Sequence, residues 1–218
     1  MTPPVPAAVF ASGSGTNLQA LLDHETVRDR YRIKVVISDR EGVGALKRAE
    51  AAGRVACVIE VRGRPSEEVA AETLVLLGSL DVRAIFLAGY LRLVPSAVLS
   101  AYPRRILNIH PALLPAFGGK GMFGEHVHEA VLASGVDVSG ATVHYVDEVY
   151  DTGTIVGQWP VRVFPGDDAP ALAARVLSVE HRLYPAVADH VCEAWADGRV
   201  PGPFPLSPVE SGSAPKGR

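Results

Sequence analysis

The chain has 218 residues, 48% of them hydrophobic, which is enough for one sizeable core and close to the upper end for a single domain. Its net charge of −3, with acids and bases interspersed, excludes a basic stripe for a polyanion, so a charged ligand is expected to be small and no nucleic acid partner is expected. No stretch approaches the ~20 apolar residues of a membrane span, the N-terminus lacks a basic-then-apolar leader, and two distant cysteines, Cys57 and Cys192, fit a reducing compartment. The expected setting is cytoplasmic, with no membrane partner.

In chain order, residues 9–11 read as a short buried strand, and Leu18, Leu21 and Leu22 follow at helical spacing. "YRIKVVISD" is rich in β-formers, and "GALKRAEAAG" reads as a helix closed by Gly53. "VACVIEV" is again strand-like, and "PSEEVAAETLVLLGSL" opens with Pro65 and Ser66, which suit a helix start. "VRAIFLAG" and "RRILNIH" are two further buried strands. This alternation predicts parallel β-α-β units: an α/β fold whose mostly parallel, twisted sheet has helices on both faces. Right-handed crossovers then gather the strand ends on one edge, where ligands bind.

After His110 the rhythm breaks. "PALLPAFGGKGMFG" is too rich in Pro and Gly for a helix or an inner strand. "VSGATVHYVDEV" and "TIVGQWPVRVF" predict two more strands, and residues 168–195 a helix that Pro185 should kink or interrupt. One domain is expected over residues 1–200, with a Pro/Gly/Ser-rich tail over 201–218 that is mobile at its end.

Two segments carry candidate chemistry. In "ASGSGTN", Gly13 and Gly15 let backbone approach a ligand, and the amides of the following helix, with its dipole, suit an anion such as phosphate. Gly13-Ser14-Gly15 also supplies the first two glycines of a dinucleotide fingerprint, with Asp39 where a ribose-binding acid could sit, but Leu18 occupies the third position. A plain tight turn capped by Thr16 or Asn17 is the third reading. In "LNIHPALLP", strand alternation sends Asn108 and His110 to the same side, an amide donor beside an imidazole, as acyl transfer needs. "HYVDEVYDTG" adds acids at 147, 148 and 151, and a carboxylate near His110 would orient the ring and favour its charged form. His126 and His128, two apart on a helix, point to different sides, so no metal site is expected.

"SGSGTNLQALL", "LAGYLRLVP", "ILNIHPALLPAF", "HVHEAVLASG", "SGATVHYVDEVYDTG" and "RVLSVEHRLYP" stand in the order found in the phosphoribosylglycinamide formyltransferases. The chain resembles that folate-dependent family of purine synthesis from about residue 7 to 200. The resemblance implies a Rossmann-like formyltransferase fold, with a nucleotide-substrate half over about 1–105 and a catalytic and folate half over about 106–200. It implies catalytic roles for Asn108, His110 and Asp151. Gly15, Thr16 and Asn17 match the family's phosphate loop, and Glu180 its substrate glutamate. Leu91, Arg92, Leu93 and Val94 match its folate segment, with the 147–151 loop, including Asp147 and Glu148, around the pterin. His144 also stands at a family position and is read as structural support. The donor implied is 10-formyltetrahydrofolate, used as a cosubstrate without a metal, and the enzyme is expected to be a monomer or homodimer.

There are departures. Glu67 in "PSEEVA" stands where the family commonly has an arginine, leaving Arg62 and Arg64 just upstream as replacements. "AFGGKG" lacks the usual proline, and "DTG" replaces "DGG". Rival readings are another user of 10-formyltetrahydrofolate, either a hydrolase or methionyl-tRNA formyltransferase, and a nicotinamide-dependent oxidoreductase. The transfer RNA enzyme carries an extra C-terminal domain and the hydrolase an N-terminal one, and neither is expected here.

Overall fold

A computed structural model describes residues 3–205. Runs of consecutive buried apolar residues, such as Val35, Val36 and Ile37, mark strands covered on both faces, which is how inner strands of a parallel sheet read. The elements are β1 (Val5–Phe10), α1 (Thr16–Arg28), β2 (Tyr31–Ser38), α2 (Gly44–Ala51), β3 (Val55–Val58), α3 (Ser66–Ser79) and β4 (Ala84–Leu87). They continue with α4 (Ser96–Ala101), β5 (Ile106–His110), α5 (Glu125–Ser134), β6 (Val138–Tyr145), β7 (Ile155–Arg162) and α6 (Ala169–Ala196). The strands form one sheet in the order β3-β2-β1-β4-β5-β6-β7. Pairing is parallel from β3 to β5, and β6 and β7 add antiparallel.

Strand order reverses between β1 and β4, so their C-terminal ends splay their loops apart and open a crevice. Helices cover both faces. Leu18, Leu21, Val131, Leu172 and Tyr184 build one core, and Val69, Leu77 and Val98 belong to the other. Tyr184, fully buried on α6, brings its hydroxyl to 3.0 Å from the carbonyls of both Leu87 and Leu107. That contact ties α6 to β4 and β5, two strands that carry the site.

Three expectations are corrected. The third strand ends at Val58 rather than at residue 61, and the short helix α4 was not foreseen. Pro185 does not interrupt α6, which runs unbroken from its Asp168 cap to Ala196. The buried neighbours Leu183, Tyr184, Val187 and Ala188 hold that turn against the sheet, so packing outweighs the lost N–H. Of the tail expected to be mobile, residues 206–218 lie outside the described residues. Both cysteines are free, and among the described residues no helix is long and apolar enough to cross a membrane.

Candidate active site

The glycine loop joins β1 to α1 at the crevice. Gly15 sits at φ +76°, and a Cβ there would stand 2.6 Å from Ala45 Cα. Ala45 N donates to Gly13 O at 3.1 Å, which seats the start of α2 on the loop. No side chain caps α1, contrary to the capped-turn reading. Thr16 is already helical, and Asn17 Nδ2 instead donates to Glu180 Oε2 at 2.7 Å. The first-turn amides therefore remain for a ligand, at the positive end of the helix dipole.

Ser12, though in the loop, serves the fold by accepting from Leu91 N at 3.1 Å. Asp39 is also spent. Burial opposes its charge, but hydrogen bonds from Arg40, Ser12 and Arg92 lower its pKa to about 2. An acid so saturated has no oxygen to spare for a ribose, which removes the second support of the dinucleotide reading.

β5 ends in the second half of the site. Asn108 and His110 share one side of the strand, as alternation predicted, and register sets His144 of β6 directly across from Asn108. His144 Nδ1 donates to the Tyr145 carbonyl at 2.8 Å. Its Nε2 lies 3.1 Å from Asn108 Nδ2. An amide nitrogen carries two hydrogens, so Asn108 keeps one free.

The β6–β7 loop returns Asp151 to this group. Its Oδ2 lies 3.5 Å from His110 Nδ1, its Oδ1 3.5 Å from His144 Nε2, and Gly119 N donates to Oδ2 at 2.9 Å. Gly153 makes the return possible, because a Cβ there would stand 1.8 Å from the Tyr145 carbonyl oxygen. Burial works against the Asp151 carboxylate, but His144, His110 and the Gly119 N–H together hold its pKa below the usual range. His110 goes the other way. Burial lowers its pKa, and the opposing pull of Asp151 and the Phe117 carbonyl does not restore it. Burial of a ring 3% exposed thus works against the charged form that the neighbouring carboxylate favours. Its Nε2 lies 2.8 Å from Phe117 O and its Nδ1 3.5 Å from Asp151 Oδ2, so each ring nitrogen faces an oxygen acceptor.

Both halves open on one cavity of about 780 Å³, a size suited to small molecules. The glycine loop and Glu180 line it together with Asn108, His110 and Asp151. Glu180 is 6% exposed, and burial raises its pKa even though Asn17 pulls the other way.

The sequence profile of the formyl transferase family matches residues 6–188. The chain belongs to the formyl transferase family. It is 42% identical over 202 residues to the chloroplastic phosphoribosylglycinamide formyltransferase of Arabidopsis thaliana, an alignment covering 89% of this chain and 68% of that one. Against phosphoribosylglycinamide formyltransferase of Escherichia coli K12 the identity is 35% over 204 residues, covering 88% of this chain and 93% of the relative. The crystal structure of glycinamide ribonucleotide transformylase 1 from Symbiobacterium toebii superposes with a TM-score of 0.81 at 42% identity, covering 88% and 89% of the two chains.

In this formyl transferase, Gly15, Thr16, Asn17, Glu180, Leu91, Asn108, His110 and Asp151 all line the one cavity. Arg92, Leu93, Val94, Asp147 and Glu148 do not. Arg92 donates to Asp39, Val94 is buried in the core, and Asp147 accepts from Val149 N and Thr152 Oγ1 within its own loop. Neither Arg62 nor Arg64 reaches the cavity, and Arg64 pairs with Glu72 at 2.6 Å. His144 does more than support the strand, since it orients Asn108; only the β5–β6 register reveals this. His128, within the "HVHEAVLASG" motif, and Lys120, within "AFGGKG", also line the cavity, although the sequence alone marks neither as a site residue. As the spacing implied, His126 points elsewhere, toward Glu129. Among the described residues, no group of three or more His, Cys, Asp or Glu is arranged to hold a metal.

Proposed function

We infer that this formyl transferase moves the formyl group of 10-formyltetrahydrofolate onto the amine of 5-phosphoribosylglycinamide in purine biosynthesis. One observation carries the reading: an amide donor, an imidazole and a carboxylate converge on a cavity that is also lined by an uncapped helix start suited to phosphate. We take the enzyme to work in the cytoplasm as a monomer or homodimer, with the first half of the chain gripping the ribosyl substrate and the second the folate.

Gly15, Thr16 and Asn17 hold the phosphate, and Glu180 the ribose side of the same substrate. Leu91, Tyr150 and Asp151, which line the cavity from the 91–94 segment and the 147–151 loop, frame the pterin, and Arg92, Leu93, Val94, Asp147 and Glu148 flank that lining. Exposed Leu91, Leu93 and Val149 give that end an apolar rim. In the reaction the amine nitrogen bonds to the formyl carbon, the bond from that carbon to the folate nitrogen breaks, and one proton passes from the first nitrogen to the second. Asn108 gives its free N–H to the oxygen that becomes negative. His110 takes the amine's proton and returns it to the leaving nitrogen. Asp151 stabilises the ring while it is charged.

Asn108→Ala tests this assignment. Losing one such donor typically lowers kcat by about 10²–10³-fold. Binding of the ribosyl substrate should remain, since the phosphate end is untouched. A kcat within threefold of the parent would remove Asn108 from the transition state.

A further inference from the structure

The reaction proposed above brings two acidic molecules into one cavity, a phosphate monoester and a folate ending in glutamate carboxylates. The cavity's own charges are mostly of the wrong sign for both. Glu125, Asp151 and Glu180 line it, and the phosphate loop offers amides but no cationic side chain. Among the described residues, Lys120 is the only Lys or Arg in the wall.

The backbone around Lys120 is built to present it. Met122 N donates to Gly119 O at 3.0 Å, closing a four-residue turn with Lys120 at its second position. Gly121 follows at φ +90°, the positive angle that such a turn needs at its third position and that glycine adopts without strain. The turn is pinned to the catalytic group, because Gly119 N donates to Asp151 Oδ2 at 2.9 Å. Lys120 is exposed and has no ion-pair partner within 4.0 Å among the described residues. Other cations close to the site are engaged: Arg92 with Asp39, and Arg48 with the Ser14 carbonyl and Gln19.

We propose that Lys120 is a substrate-binding residue: its ammonium engages an anionic oxygen group of a bound substrate across the mouth of this cavity. The inference rests on the formyl-transfer reading for the identity of the anions, but not for the existence of the contact. The phosphate ester and the folate carboxylates share the required chemistry, and the test separates them.

Titration calorimetry of ribose 5-phosphate and of folic acid against the parent, Lys120→Gln and Lys120→Arg gives the direct readout, with KM for each substrate beside it. K120Q should weaken one of the two ligands about tenfold, the scale of one charged hydrogen bond, and K120R should restore most of the affinity. Weaker ribose 5-phosphate binding with a higher KM for the ribosyl substrate assigns the phosphate. Weaker folic acid binding with a higher KM for the folate assigns the carboxylates. Unchanged affinity for both ligands in K120Q, with an unaltered melting temperature, overturns the proposal. A parent enzyme that transfers no formyl group would instead sink the functional reading, while the calorimetry would still decide for or against Lys120.

Discussion

Asp151→Asn is expected to lower kcat by about 10²–10⁴-fold, the range for losing a positioned acid–base group, while leaving the fold intact. The change removes one charge and almost no volume. Asp151 sits at φ +58°, a left-handed conformation that Asn tolerates as well as Asp, so no strain is added. What is lost is the charge that makes protonation of His110 affordable inside a dry wall. The sign of the pH effect follows. Asp151 raises the His110 pKa against the lowering by burial, so D151N lets that pKa fall further below its ordinary value. If the neutral ring is the working base, activity is lost as pH falls through the His110 pKa. The acid limb of the residual D151N activity should then lie at lower pH than in the parent. A kcat near the parent's, or an acid limb shifted upward, would contradict the assignment.

Gly15→Ala should damage both the fold and the site. The residue needs a left-handed backbone, which costs an L-residue roughly 1–2 kcal/mol, and its new methyl would meet the Ala45 backbone at 2.6 Å. The shift that relieves the clash must push α2 away or displace the phosphate loop. A total loss of roughly 2 kcal/mol corresponds to a melting temperature lower by about 4–8 °C in a domain of this size. KM for the ribosyl substrate should rise more than about tenfold as the amides of α1 lose their aim. Gly13→Ala is the control, because a Cβ at Gly13 meets nothing within 4 Å, and its melting temperature should not change. Equal melting temperatures and equal KM values for G15A and the parent would show that the loop is not the rigid cradle described.

The sequence made some of this plain and hid the rest, for physical reasons. Parallel strands announce themselves because burial on both faces demands unbroken apolar runs, as at Val35, Val36 and Ile37 of β2 and throughout β4. The shared side of Asn108 and His110 follows from strand alternation alone. Asp151 could be matched to them only by resemblance, since it arrives by a loop between antiparallel strands. The Asn108–His144 contact depends on cross-strand register, and the sequence has no marker for it. Arg92 and Asp39, 53 positions apart, meet in an ion pair that no local reading of either segment could foresee. Pro185 misled in the opposite sense. Its local preference was real, but the buried face of α6 outweighed it. Lys120 and His128 look like ordinary loop and helix residues until the fold bends their segment over the cavity.

The central claim is that the proton-handling pair of His110 and Asp151 serves transfer to an amine and not to water. Following tetrahydrofolate absorbance with purified enzyme and 10-formyltetrahydrofolate, with and without phosphoribosylglycinamide, tests it most directly. The account predicts that absorbance develops only when the amine is present and that the formylated amide forms in equal amount. Tetrahydrofolate released at the same rate without the amine, together with formate, would contradict it and make the enzyme a hydrolase.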